Sequence, residues 1–224
     1  MRERGSARAA IALAVMAAAS AAQTAGGHFS VDDASLVEPG RWEQETWYSR
    51  SRRGADLLHA GFNFRVGAIE LDGAAEGARS TNEPTATSWN LEMKWAHALS
   101  ERVAVGLDVQ PVALVRPLSQ YAITRFYGIV TWQPHEAELL NVNAGHDRVR
   151  RAGDLPRGGV SVEWTATKAV TLIAERYLDT GTHFVRAGTR WSPASRWTFD
   201  FSRAQRLAGP APSTWTLGLT YHPE

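Results

Sequence analysis

Between Ser88 and Gln110 the chain alternates apolar and polar residues on both sides of a short polar turn. Trp89, Leu91, Met93 and Trp95 interleave with Asn90, Glu92 and Lys94. After Leu99-Ser100-Glu101, Val103, Val105, Leu107 and Val109 fall on one side, and Arg102, Asp108 and Gln110 on the other. Successive side chains of a strand point to opposite faces, so this stretch reads as a hairpin with one apolar and one charged face. A chain built from such strands must decide which face meets which solvent. The reading adopted is that the apolar face meets lipid and the charged face lines a closed barrel.

The same pattern recurs along the chain. Strands are expected over Arg41–Arg50, Ala55–Val66, Gly67–Ala74, the Ser88–Gln110 hairpin, Gln120–Trp132 and Glu138–Asp147. Others follow over Gly159–Ala166, Ala169–Leu178, Thr182–Trp191, Arg196–Arg203 and Ser213–Tyr221. Polar or Gly/Pro-containing stretches at 76–84, 148–158, 179–181 and 206–212 read as loops, opposite short turns at 99–101, 133–136, 167–168 and 192–194. The expected fold is all-β: a closed antiparallel transmembrane β-barrel of about twelve strands, ten to fourteen being admissible. Roughly nine to eleven residues per strand suffice to cross a bilayer at a tilt. Short periplasmic turns against longer outside loops fit an outer-membrane barrel, and an even strand number leaves both ends on the periplasmic side.

Composition narrows the class. There is no cysteine, which removes disulfides and thiolate metal sites. Lys plus Arg number 24 against 23 Asp plus Glu, so nothing marks a nucleic-acid binder. Mean hydropathy is -0.29, too polar for a bundle of apolar helices but compatible with a barrel that shows lipid every second residue. Residues 1–22 read as a secretory signal: Arg2, Arg4 and Arg8, an apolar run from Ala9 to Ala19, then Ser20-Ala21-Ala22. Residues 23–40 read as an irregular lead-in, with turn residues Asp32-Asp33 and Pro39-Gly40, and residues 41–224 as the barrel.

A soluble β-sandwich or a periplasmic barrel around an apolar ligand would alternate in the same way, with the apolar face inward. Aromatic residues near strand ends favour lipid: Trp89, Trp95, Trp132, Trp191, Trp197, Trp215 and Tyr221 suit the interfacial girdles of a membrane barrel. The polar faces carry both signs of charge. Glu92, Lys94, Asp108, Arg186, Arg190, Glu163, Glu175 and Arg65 are therefore the candidate lumen-lining residues.

Two N-terminal stretches carry a resemblance: His28-Phe29-Ser30-Val31-Asp32-Asp33-Ala34, and the run from Glu38-Pro39-Gly40-Arg41-Trp42 to Thr46-Trp47. So do Asn143–Arg148, Thr171–Arg176 and Arg186–Trp191. Together they resemble uncharacterised proteobacterial outer-membrane β-barrels akin to the phenol meta-degradation family. That resemblance implies a transporter or porin, placed in the outer membrane by the barrel-assembly machinery. Such barrels often end on an aromatic residue; here Tyr221 is followed by His222-Pro223-Glu224.

Chemistry is sparse. No catalytic residue, metal site or cofactor is expected. His28 with Asp32 and Asp33 has donors for a hard cation, but turn-forming aspartates explain them. His146-Asp147 is the least poor candidate for a base in a lipid-modifying enzyme, without a nucleophile motif around it. Arg148, Arg150, Arg151 and Arg157, read as one loop, can pair with lipopolysaccharide phosphates. The expected activity is a passive or weakly selective channel for small solutes. A plugged structural barrel and a lipid-modifying enzyme are the alternatives.

Overall fold

The computed structural model describes residues 28–52, 54–80, 83–150 and 152–223; the expected signal over residues 1–22 lies outside them. Twelve strands follow one another: β1 (Trp42–Ser51), β2 (Asp56–Val66), β3 (Ile69–Ser80), β4 (Glu83–Ser100), β5 (Val103–Arg116), β6 (Gln120–His135), β7 (Glu138–Val149), β8 (Gly153–Thr167), β9 (Val170–Asp179), β10 (Thr182–Ala194), β11 (Trp197–Ala208) and β12 (Thr214–Tyr221). Each pairs antiparallel with its chain neighbours, and β1 pairs with β12 to close the barrel. At the seam Tyr48 lies opposite Leu217, and Ser49 opposite Thr216. The Ser49 and Thr216 hydroxyls are 2.7 Å apart inside.

The apolar stripe faces outward. Leu91 and Met93 are 53% and 48% exposed, whereas Glu92 and Lys94 between and after them are each 4% exposed. Leu107 and Leu217 are likewise open, and Asp108 and Thr216 shut in. Water on the outer face would leave that apolar area unsatisfied, so the orientation is that of a transmembrane barrel. Trp95, Trp132, Trp191, Trp197 and Tyr221 ring the end at which β1 begins and β12 ends, hereafter the terminal end. Trp89 and Trp215 lie outward toward the opposite end.

Two expectations need correcting. The strands are 8 to 18 residues long rather than nine to eleven. The stretches expected as loops at 76–84 and 148–158 are largely strand: β3 continues to Ser80, β4 starts at Glu83, and β8 starts at Gly153. Residues 78 and 86 are paired across β3 and β4, and 146 and 156 across β7 and β8. Turns at the terminal end occupy residues 67–68, 101–102, 136–137, 168–169 and 195–196. At the opposite end, Thr180 and Gly181 both have positive φ, 45° and 74°. That is the backbone a two-residue hairpin needs to follow the strand twist.

Candidate functional site

The lumen is the candidate site, and its walls carry unequal charge. On β1 to β5, Glu45, Glu70, Asp72, Glu76, Glu92 and Asp108 are buried with Lys94 and His59. His59 stands between Glu45 and Glu76, at 3.5 and 3.1 Å, with its ring stacked 3.3 Å from that of Trp47. On the facing wall, Arg157 of β8 bonds to Asp147 of β7 and Asp179 of β9. Arg186 pairs with Glu175 at 3.4 Å, and Arg190 with Asp200 at 3.0 Å. A charge taken out of water is tolerated only with partners, and the facing wall supplies them for Arg157, Arg186 and Arg190.

Residues 28–40 form no strand, and residues 28–37 cross the interior before the exposed Glu38-Pro39-Gly40 turn. His28, Phe29, Val31 and Asp32 are at most 1% exposed. Their backbone groups are satisfied by wall side chains, as buried peptide groups must be. Glu175 accepts from the Ser30 and Val31 N–H groups at 2.9 and 2.8 Å. Asn143 accepts from the Asp32 N–H at 2.6 Å and donates to the Asp32 carbonyl at 2.8 Å. Thr131 Oγ1 accepts from the Ala34 N–H at 2.8 Å, Glu70 accepts from the Val37 N–H, and Arg186 donates to the His28 carbonyl. The segment thus touches β10, β9, β7, β6 and β3 in turn.

The wall is shaped to receive it. A Cβ on Gly159 would sit 2.7 Å from Val31 Cγ2, one on Gly188 2.9 Å from Phe29 Cε1, and one on Gly218 3.0 Å from His28 Nδ1. Glycine at these places lets the segment lie against the backbone of the barrel. Between Ser30, Tyr127, Asn143 and Arg157 the remaining space is too narrow for a water molecule. A mouth of about 560 Å3 stays open at the terminal end, lined by Glu38, Arg41, Arg196 and His222 among others.

Of the residues named from sequence, Glu92, Lys94, Asp108, Glu163, Glu175 and Arg186 are buried inside. Arg190 has a side chain 21% exposed. Arg65 lies near the terminal end and donates to the carbonyls of Gly67 and Val37. The facing-in of apolar residues escaped the sequence reading. Trp47, Val112, Leu114, Ile123 and Val149 are buried toward the opposite end, where Ala86, Val112, Leu114, Ala122, Ile123 and Val149 pack together. Val112 and Leu114 continue the inward positions of Asp108 and Gln110, and the register shift lies on β6, where neighbouring Ala122 and Ile123 are both buried.

The histidine and arginine candidates also change places. His146 points outward and stacks on Phe126, while Asp147 points inward to Arg157. The two are neighbours in sequence but on opposite faces of β7, so Asp147 does not orient His146. Arg157 is a buried residue of β8 and not part of an exposed basic loop; Arg148 and Arg150 are exposed, and Arg151 lies outside the described residues. His28 does not gather with Asp32 and Asp33: its Nε2 is 2.6 Å from Ser202 Oγ.

Solved barrels share this architecture. The KdgM porin matches with a TM-score of 0.65 at 9% identity, over 80% of this chain and 98% of its own. A KdgM porin in complex with disordered oligogalacturonate and the NanC porin each match with a TM-score of 0.61 at 8% identity, over 80% and 98%. At such identities the likeness is one of fold. No curated protein matches the sequence. The family described as "Uncharacterised conserved protein UCP029691" matches residues 12–222, nearly the whole chain, and the protein belongs to it.

Proposed function

We propose that this protein is an outer-membrane channel for small solutes, held closed in the conformation described by residues 28–38. The observation that carries the reading is the lumen itself: charged walls crossed by a non-strand segment that docks through individual hydrogen bonds and through Phe29, Val31 and Ala34 packed on Ile173, Tyr177 and Ile129. Acidic groups outnumber basic ones on the inner face of β1 to β5, so the open lumen favours small cations. The apolar patch of Val112, Leu114 and Ile123 adds a constriction of the kind that resists wetting. The fold shared with KdgM and NanC supports a porin-like role; the oligogalacturonate belongs to KdgM.

In this reading the chain is exported through the periplasm and inserted by the barrel-assembly machinery. It sits among outer-membrane lipid and lipopolysaccharide, with the terminal end toward the periplasm. Kinship with the phenol meta-degradation barrels is part of the same reading and rests on the motifs at 28–34, 38–47, 143–148, 171–176 and 186–191. A second reading, a structural barrel that never opens, draws on the inward apolar cluster and the docked segment. Planar-bilayer recordings separate the two. The barrel lacking residues 28–38 is expected to carry a steady, cation-favouring current where the intact chain carries little. A folded deletion variant with no current overturns the channel reading.

A further inference from the structure

Three carboxylates meet inside the barrel from three different parts of the chain: Asp32 from the inner segment, Glu92 from β4 and Asp108 from β5. One oxygen of each lies within 4.8 Å of the others, and all three side chains are buried. The basic groups nearby are already committed. Lys94 Nζ holds Asp32 Oδ1 at 3.0 Å and is 3.8 Å from Asp33. Gln110 Nε2 donates to Glu92 Oε2 at 2.7 Å, and Arg125 donates to Gln110 Oε1. That leaves Asp32 Oδ2 and both oxygens of Asp108 buried with no hydrogen-bond partner. The Tyr127 hydroxyl, on the residue directly opposite Asp108 in the β5–β6 pairing, is also buried without one. Lys94 divides its charge between Asp32 and Asp33. Unmatched anionic oxygens in a closed space are costly unless something positive sits among them.

We propose that Asp32, Glu92 and Asp108 bind one divalent cation of the hard, oxygen-seeking kind, Ca2+ or Mg2+, and that this ion ties the inner segment to the barrel wall. An all-oxygen donor set of carboxylates suits these ions and not the softer metals. Because Asp32 travels with the segment and the other two ligands do not, the bound ion is a removable cross-link. Binding holds residues 28–37 in place, and chelation loosens them. The site stands whether or not solutes pass the barrel; its effect on current rests on the channel reading.

The test uses the barrel folded in detergent micelles, stripped with chelator and titrated with Ca2+, Mg2+ and the luminescent probe Tb3+. One ion per chain is expected, with Tb3+ emission excited through the aromatic residues and displaced by Ca2+. Asp108→Asn and Asp32→Asn each lower the affinity by roughly tenfold or more, while Glu163→Gln, outside the cluster, leaves it unchanged. Asp32 is not part of the wall, so Asp32→Asn keeps the test valid should the Asp108 variant fail to fold. No uptake of any of the three ions at millimolar concentration, or uptake unaltered in Asp32→Asn, overturns the site. In the intact chain, Ca2+ is expected to slow amide exchange over residues 28–37. Unchanged exchange with the ion bound overturns the cross-link.

Discussion

Lys94 Nζ lies 3.0 Å from Asp32 Oδ1, and the two side chains are 6% and 1% exposed. This pair joins the inner segment to β4 across 62 residues of sequence. Removing one member of a buried ion pair typically costs about 3–5 kcal/mol, because the other is left charged and unmatched. The segment can escape that cost by leaving the lumen, which the barrel cannot. Lys94→Met is therefore expected to leave the barrel folded and to speed amide exchange at Ser30 to Ala34 by at least roughly tenfold. Exchange unchanged from the parent would show that the pair does not hold the segment.

Acid is expected to weaken the docking through His28. Burial, and then the charges of Arg186 and Arg190, hold its imidazole well below the ordinary histidine range. The docked ring resists protonation, whereas a released ring titrates near its ordinary value of about 6.5. Released segment therefore binds more protons, and docking loses stability as pH falls below about 6.5. Above that value the contribution is fully present. Asp200, Glu175 and Ser202 also stand near His28. The comparison of the parent with His28→Gln isolates the histidine. Exchange over residues 28–37 should rise more steeply in the parent between pH 7 and 5, and parallel profiles would contradict it.

The outer face gives a test of orientation. Leu217 is 58% exposed, midway along β12 and opposite Phe201 and Tyr48. Leu217→Arg is expected to destabilise the barrel in phospholipid vesicles by about 2–4 kcal/mol, the cost of such a residue near the bilayer midplane. Guanidinium unfolding measures it. A change within about 0.5 kcal/mol, usual for a water-exposed surface site, would mean that Leu217 does not face hydrocarbon.

How much of this was legible in the sequence follows from the range of the forces involved. Alternation is local, so Leu91-Glu92-Met93-Lys94 declared its two faces and the strand number came out right. The ends of strands did not. On β3, Gly73, Ala75 and Gly77 occupy outward positions, and without apolar bulk the stretch to Ser80 imitates a loop. On β7 and β8, Arg148 and Asp154 pair beyond the apolar part of the wall, where water tolerates charge. The lumen was half legible. Charged inward positions could be read from period two, but around Val112 and Leu114, in phase with Asp108 and Gln110, both faces of the strand are apolar, and the pattern there no longer tells wall from lipid side. The inner segment was illegible. Asp32-Asp33 is ordinary turn chemistry until Lys94, Asn143 and Glu175 close around it, and those contacts are set by the closed barrel. Gly159, Gly188 and Gly218 were the available signal: three inward glycines in strands, each marking a close approach.

The central claim is that the lumen conducts and that residues 28–38 close it. Because the chain has no cysteine, a reversible lock can be placed cleanly. The Ala34 N–H bonds to Thr131 Oγ1 at 2.8 Å, so Ala34→Cys with Thr131→Cys brings two thiols together between segment and wall. Single-channel current across a planar bilayer is the measurement, taken first oxidised and then after reduction. Current that is absent in the oxidised protein and rises on reduction to the small, intermittent level of the intact chain is the predicted result. Equal current in both states, or none in either, would contradict the account.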